Sequence, residues 1–329
     1  MKLHRRKFLH LAMAAAALAA RPDNARAQAY PTRPITLIVP FPAGGVVDLV
    51  ARSVAEGMRA SLGQPIIIEN VAGANGGIGA GRAVRAAPDG YTLICGAWNT
   101  HVGNGALYVL PYDVLNDFAP VSLLAIAPMM IVARKNLPAD DLSGLVAWLK
   151  ANPDKASQGT LGVGSPPHLL GVLFQNITGT RFQFVPYRGT PPALQDVMGG
   201  QIDLLILPGP VSLPQVQADH VKAYAVTGKS RLALAPNIPT VSEAGFPELT
   251  FLNWVALWAP KGTPEGVIAK LNATVSAALA QPAARSRIAE LGMEAFPRDQ
   301  QTPEALREFQ KAEIEKWWPV IKAANIKGE

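Results

Sequence analysis

Two stretches put chemically useful residues at a point where an apolar run gives way to a helical period. The first is Pro40-Phe41-Pro42-Ala43-Gly44-Gly45-Val46-Val47-Asp48. Free backbone N–H groups at a helix start, with glycine allowing close approach, make an anion site; the same residues could equally form a plain glycine turn. The Lys-Ser/Thr pair of a P-loop is missing, which argues against a triphosphate. The second stretch is Gly162-Val163-Gly164-Ser165-Pro166-Pro167-His168. Ser165 suits an N-cap, and proline just inside a helix start loses only an N–H that would have no partner there. This end could receive an anion or simply be a capped helix. A third reading makes Ser165 the nucleophile and His168 the base of an α/β hydrolase. Against it, the two side chains fall within one turn, the GxSxG spacing is absent, and no evident acid orients the histidine.

Two weaker segments stand beside these. Gly73-Ala74-Asn75-Gly76-Gly77-Ile78-Gly79-Ala80-Gly81 is glycine-rich but not spaced as GxGxxG, so a tight loop leading into a close-packed helix is expected rather than a dinucleotide site. Ala97-Trp98-Asn99-Thr100-His101 follows an apolar strand pattern and could join the first loop at the carboxyl edge of a sheet, or merely cap a helix. Beyond residue 27 the histidines are His101, His168 and His220, none at metal-ligand spacing, so no metal and no cofactor is expected. Cys95 is the single cysteine, which excludes an intrachain disulfide and a CxxC motif; it reads as a small buried hydrophobe.

The elements that must position these residues alternate between short apolar runs and helical periods, the pattern of an α/β fold with parallel strands. Strands are expected over 35–39, 66–69, 91–95, 129–133, 160–163, 182–185, 202–207 and 222–226, with a late one over 254–258. Val47, Val50, Val54, Met58 and Leu62 share one helical face, as do Leu169, Leu170, Leu173 and Ile177 after Pro167. From Ala259-Pro260 onward helices run to the end, the last carrying Leu306, Phe309, Trp317, Val320 and Ile321. No linker separates two halves, so the chain is expected to cross between two lobes more than once, near 125–130 and 248–253. That gives lobe 1 as 28–126 plus 254–329 and lobe 2 as 127–253.

Of 329 residues, 49% are hydrophobic and 16% charged, enough for a large core and too little charge for disorder. The formal charge of +6 would suggest nucleic acid or a membrane surface, but its position matters. Residues 1–27 hold Lys2, Arg5, Arg6, Lys7, Arg21 and Arg26 against Asp23 alone. The basic start, an apolar run too short to span a bilayer, and Ala25-Arg26-Ala27 together read as a cleaved secretory leader; Arg5-Arg6 resembles a twin-arginine signal. Without it the chain carries 24 basic and 23 acidic residues, net +1, and nucleic acid drops out as a partner. A periplasmic location follows.

Several ordered motifs together are similar to one family. They are Pro34-Ile35 through Arg52, the glycine-rich 73–81, Asp89-Gly90-Tyr91-Thr92-Leu93, Gly164-Ser165 with His168, and Val185-Pro186-Tyr187-Arg188-Gly189. Further on come Gly199-Gly200-Gln201-Ile202-Asp203, Pro239-Thr240-Val241-Ser242-Glu243-Ala244-Gly245 and Ala259-Pro260. The chain resembles the Bug, or tripartite tricarboxylate transporter, substrate-binding proteins over nearly its whole length beyond the leader. The resemblance implies a monomeric, two-lobed periplasmic binding protein of the second type, closing on a small organic carboxylate and delivering it to a membrane permease of that transporter or to a sensor domain. The resemblance thus implies a receptor and not an enzyme. Carried over, the ligand-binding residues are Phe41, Ala43, Gly44, Gly45 and Asp48 on one lobe and Gly164, Ser165 and His168 on the other. Asn99, Thr100 and His101 fall in a family pocket segment, and Asp203 lies near the cleft. Asp48 suits holding water or backbone N–H groups, or the first turn of its helix, better than touching an anion. Val46-Val47 and Trp98 stand where relatives often carry smaller residues, which implies an apolar cleft for an aromatic or longer-chain carboxylate.

Overall fold

The computed structural model describes residues 30–324 and residue 326; the leader expected over 1–27 lies outside the described residues. In chain order, β1 (Ile35–Val39) leads into α1 (Val46–Leu62), β2 (Ile66–Asn70), α2 (Gly77–Val84) and β3 (Thr92–Ala97). A π-helical turn, Asn99–Gly103, runs on into the short α3 (Asn104–Leu107). The long β4 (Phe118–Arg134) is followed by α4 (Leu142–Ala151), β5 (Ser157–Thr160), α5 (Pro166–Thr178), β6 (Gln183–Pro186) and α6 (Thr190–Met198). Next come β7 (Leu204–Pro208), α7 (Gly209–Gln217), β8 (Val221–Val226) and β9 (Leu252–Pro260). The chain closes with α8 (Glu265–Ala280), α9 (Pro282–Glu290), the two-residue β10 (Glu294–Ala295) and α10 (Pro303–Ala323).

The α/β expectation holds, and the expected face of α1 is buried in full, whereas Leu173 and Ile177 of the next expected face and Phe309 and Val320 of the last helix are only half-buried. Val47, Val50, Val54, Met58 and Leu62 of α1 all face the core, and the helix stops at Gly63, whose left-handed φ of 67° suits glycine. Leu169, Leu170 and Phe174 do the same for α5, which ends at Gly179 with φ 65°. The strand expected over 160–163 is instead Ser157–Thr160. Gly162 and Gly164 adopt φ of 96° and 75°, so the apolar Leu161 and Val163 belong to a loop rather than a pleat.

The strand expected over 129–133 is the last third of β4, whose 17 residues cross the whole molecule. Pro120 and Pro128 hide its first part from pattern reading, since proline cannot donate to a ladder. The register breaks between Pro120 and Ser122 and again between Leu123 and Ala125, and these irregularities absorb the mismatch. Over residues 118–128 β4 pairs antiparallel with β9, whereas over 129–134 it pairs with β7 and β8.

Each half of the sheet therefore has the same order of strands around this shared element. One half reads β2-β1-β3-β9-β4 and the other β6-β5-β7-β4-β8. In both, the first strand of a β-α-β-α unit lies second from the edge, with its successor outside it. Two cores serve the halves separately. In one, α1 and α8 cover Ile35, Leu37 and Val39; in the other, Val197 and Leu213 cover Val132, Leu205 and Leu207. A third core runs through both halves and includes Trp98, Phe251, Trp254 and Trp317, so α10 seals the crossing region.

Candidate functional site

Register decides which ends of the strands meet. β3 is parallel to β1, and its last residue, Ala97, lies opposite Val255, which itself lies opposite Ala125 of β4. In the other half Pro208, the last residue of β7, lies opposite Met129, and β5 runs parallel to β7. The carboxyl ends of β1, β3, β5 and β7 therefore all point at the stretch 125–129 where β4 changes partners. Segments leaving those strands face one another from the two halves, which is where open α/β sheets place ligands.

The segment after β1 is held open by Asp48. Its carboxylate, 1% exposed, accepts from the Gly44 N–H at 2.8 Å, from Arg52 Nε at 2.9 Å and Nη2 at 3.0 Å, and from Asn70 Nδ2 at 2.9 Å. Burial works to raise its pKa, but the hydrogen bonds from Arg52, Gly44 and Asn70 outweigh it and hold the carboxyl below its usual range. Asp48 is thus a brace for the loop, holding a backbone N–H as its chemistry suggested. Gly44 takes φ 80°, Ala43, Gly44 and Gly45 are exposed and Phe41 is half-buried. Gly45 occupies the N-cap and supplies no side-chain acceptor, so the first amides of α1 keep their donors.

Ser165 occupies the N-cap position of α5 but does not cap it. Its hydroxyl donates backward to Gly162 O at 2.7 Å. With prolines at the first two helical positions and the Leu169 N–H bonded to Ser165 O, this end offers one amide, the His168 N–H, and the cap does not take it. His168 Nδ1 accepts from the Gly164 N–H at 3.3 Å, so a neutral ring carries its proton on Nε2, and burial lowers its pKa. Ser165 and His168 are each committed to backbone groups and not to each other. The nucleophile–base pair that a hydrolase needs is not assembled. A Cβ on Gly164 would fall 2.5 Å from Leu107 Cδ1, so this loop closely approaches α3 of the other half.

The segment after β3 divides in two. Asn99 Nδ2 donates to Asn75 Oδ1 at 2.8 Å, and Asn104 Nδ2 to Asn75 O at 3.1 Å, tying the glycine-rich loop to the π-helical turn. A Cβ on Gly76 would lie 2.4 Å from Thr100 Cγ2 and 3.3 Å from Phe41 Cζ, so three loops meet where only glycine fits. Thr100 spends its hydroxyl on Ala97, accepting from its N–H at 3.0 Å, and contacts His101 Nδ1 at 2.8 Å. His101 points the other way, into the core. It is fully buried, stacks on Trp258 with ring centres 3.6 Å apart, and burial lowers its pKa to about 3.

Three sequence expectations are corrected by burial and register. His101 is a neutral core side chain, brought near the loops only through its backbone. Trp98 is also fully buried, edge-on to Phe251 at 5.2 Å, and Val47 packs in the core, so the apolar cleft loses its two largest expected contributors. Asp203 lies just before β7, at the end remote from the crossing. It accepts from Arg134 Nε at 2.7 Å and from the Ser157 N–H at 2.9 Å. Arg134 is five residues along β4 from Met129, about 17 Å, so Asp203 fastens the far edge of the sheet. Sequence reading missed Asn75 and Asn104. The signal available was the asparagine within the glycine-rich run, a residue tolerated at the positive φ of 50° that Asn75 adopts.

The chain as a whole is similar to known proteins. A family model described as tripartite tricarboxylate transporter family receptor matches residues 50–326. A UPF0065 protein of the TAR-I ttuE-ttuC' intergenic region of Agrobacterium vitis is 41% identical over 309 residues, covering 92% of this chain and 88% of that one. Protein BugT of Bordetella pertussis is 36% identical over 303 residues, covering 92% of each. Among solved structures, the periplasmic binding protein BugD superposes with a TM-score of 0.81 at 37% identity, over 91% of this chain and all of that one. MatC from Rhodopseudomonas palustris with bound malate gives 0.81 at 38% identity, over 89% of this chain and 100% of that one. Rpa4515 of R. palustris with adipate gives 0.82 at 33%, over 91% and 100%. The family model spans most of the chain and these relatives match it at 36–41% identity over 92% of its length, so the chain belongs to the tripartite tricarboxylate transporter family receptors, the Bug proteins.

Proposed function

We propose that the protein captures a small organic carboxylate between the segment 40–45 of one lobe and the segment 161–168 of the other. It then hands the ligand to a membrane permease of the tripartite tricarboxylate type or to a sensor domain. Phe41, Ala43, Gly44 and Gly45 face Gly164, Ser165 and His168 across the ligand, with Asp48 behind the first loop and Asn99 tying the third. The lobes are 28–126 with 254–329, and 127–253; the protein acts as a monomer in the periplasm after residues 1–27 are removed. Among the described residues no helix is long and apolar enough to cross a membrane.

One observation carries this reading: two helices from opposite halves direct N-termini without a side-chain cap at one crossing point, the first amides of α1 from one side and the His168 N–H of α5 from the other. Partial charges of that kind hold a carboxylate without the full cation that would slow its release. Relatives of this fold with malate and adipate bound favour a carboxylate with more than one acid group. The test is calorimetric titration with malate and adipate, combined with chemical denaturation. At a hundredfold excess over Kd a bound ligand adds about 2.7 kcal/mol of stability and is recovered unchanged. Absence of any stabilisation across a panel of mono-, di- and tricarboxylates overturns the proposal, and turnover of an ester substrate restores the hydrolase.

A further inference from the structure

The segment after β6 reaches the same edge as the loops already described and carries a feature they lack. β5 and β6 are parallel with Thr160 opposite Pro186, so the chain leaves both strands side by side. Tyr187 fastens that exit. Its N–H donates to Thr160 O at 2.9 Å and its hydroxyl donates to Asp196 Oδ2 at 2.6 Å. Its ring also closes over Gly159, where a Cβ would fall 3.2 Å from Cε2. The next residue, Arg188, is exposed and has neither a hydrogen bond nor an ion pair among the described residues. The arginines next to the other expected site residues are spent: Arg52 on Asp48 and Arg134 on Asp203.

Charge on this edge is sparse. The segments that follow β1, β2, β3, β5 and β7 contain no lysine or arginine, and the histidines there, His101 and His168, have pKa values lowered by burial. Lys229 follows β8, which lies on the opposite flank of the half-sheet order β6-β5-β7-β4-β8. Among the described residues Arg188 is therefore a free cation beside the segment 161–168, held on an anchored stem with no partner for its fork. A guanidinium matches a carboxylate with two parallel N–H donors, whereas the helix ends offer only single amides and partial charge.

We infer that Arg188 is the counter-ion of a second carboxylate on the ligand and selects dicarboxylates over monocarboxylates of the same length. The inference rests on the carboxylate reading above. Helix ends hold one acid group by neutral donors; Arg188 compensates the other, whose transfer into a cleft without a cation would cost the affinity that discriminates the two classes.

The experiment titrates adipate, malate and hexanoate into wild type, Arg188→Ala and Arg188→Lys by calorimetry, with far-UV circular dichroism to confirm that each variant is folded. For adipate or malate, Arg188→Ala weakens binding by about tenfold or more, Arg188→Lys recovers part of the loss, and hexanoate affinity is the same in all three. Adipate and malate binding as tightly to Arg188→Ala as to wild type overturns the assignment and leaves the receptor reading standing. The same holds if hexanoate loses as much as the dicarboxylates. A wild type that binds hexanoate but neither dicarboxylate, or none of the three, overturns the assignment to Arg188, whereas the receptor reading falls only if the whole carboxylate panel fails to bind.

Discussion

At the residue scale, the histidines show how burial rather than identity sets a role. His101 and His168 are both aromatic bases near the crossing, yet one sits fully enclosed against Trp258 and the other lies partly buried beside Phe184. The folded pKa of His101, about 3, is far below the value near 6.5 of an unfolded chain. Between those values the unfolded chain binds the proton that the folded one refuses. The contribution is therefore complete above about pH 6.5 and is lost at roughly 1.4 kcal/mol per unit as pH falls toward the folded value. His101→Phe keeps a flat ring on Trp258 and removes the titration. Urea denaturation between pH 7 and 4 is expected to show a shallower acid limb for the variant; identical slopes for variant and wild type would refute the role. Asp48 follows the opposite sign: its depressed carboxyl stabilises above about pH 4 and loses that contribution only as pH falls through the folded value.

At the element scale, the two β-strand-to-helix units that form the site were legible because proline and glycine mark their turns and period 3.6 marks their helices. What holds the π-helical turn was not legible, since its supports come from the far end of the chain. Gln310 of α10 donates through Nε2 to His101 O and Val114 O, both at 2.8 Å, and accepts from Trp258 Nε1 at 3.3 Å. Trp318 Nε1 donates to Val102 O at 3.0 Å. α10 thus satisfies carbonyls that a π-turn leaves without ordinary helical partners. Gln310→Leu fills the same space but strands two buried carbonyls and an indole N–H. A loss of about 2–4 kcal/mol in unfolding free energy is expected, read by chemical denaturation. A change below about 0.5 kcal/mol would show that the turn holds itself. The length of β4 was equally hidden, because Pro120 and Pro128 interrupt its pattern and only pairing with β9 restores it.

At the scale of the whole molecule, two half-sheets of the same strand order share β4, and few strands connect them. The site lies at that connection, so a ligand bridging both halves gains only if they approach, the geometry of hinge closure. Small-angle scattering is expected to give a smaller radius of gyration with saturating adipate or malate than without. An unchanged radius on a sample shown to be saturated would mean that the cleft is already closed without ligand, as the approach of Gly164 to Leu107 would then explain.

The sequence by itself determined the α/β class, the two turn-to-helix units and the near-neutral balance beyond residue 27, because each rests on local period, local φ requirements or simple counting. It also carried the family, through short motifs whose order matters more than any single residue. Only the tertiary structure decided which way each polar side chain faces. Asp203 and His101 sit in motifs as suggestive as those of Ser165 and His168, but register put the first at the far end of its sheet and packing put the second behind a strand. Their direction depends on partners contributed from tens to hundreds of residues away, among them Ser157, Trp258 and Gln310, and no local pattern encodes those meetings.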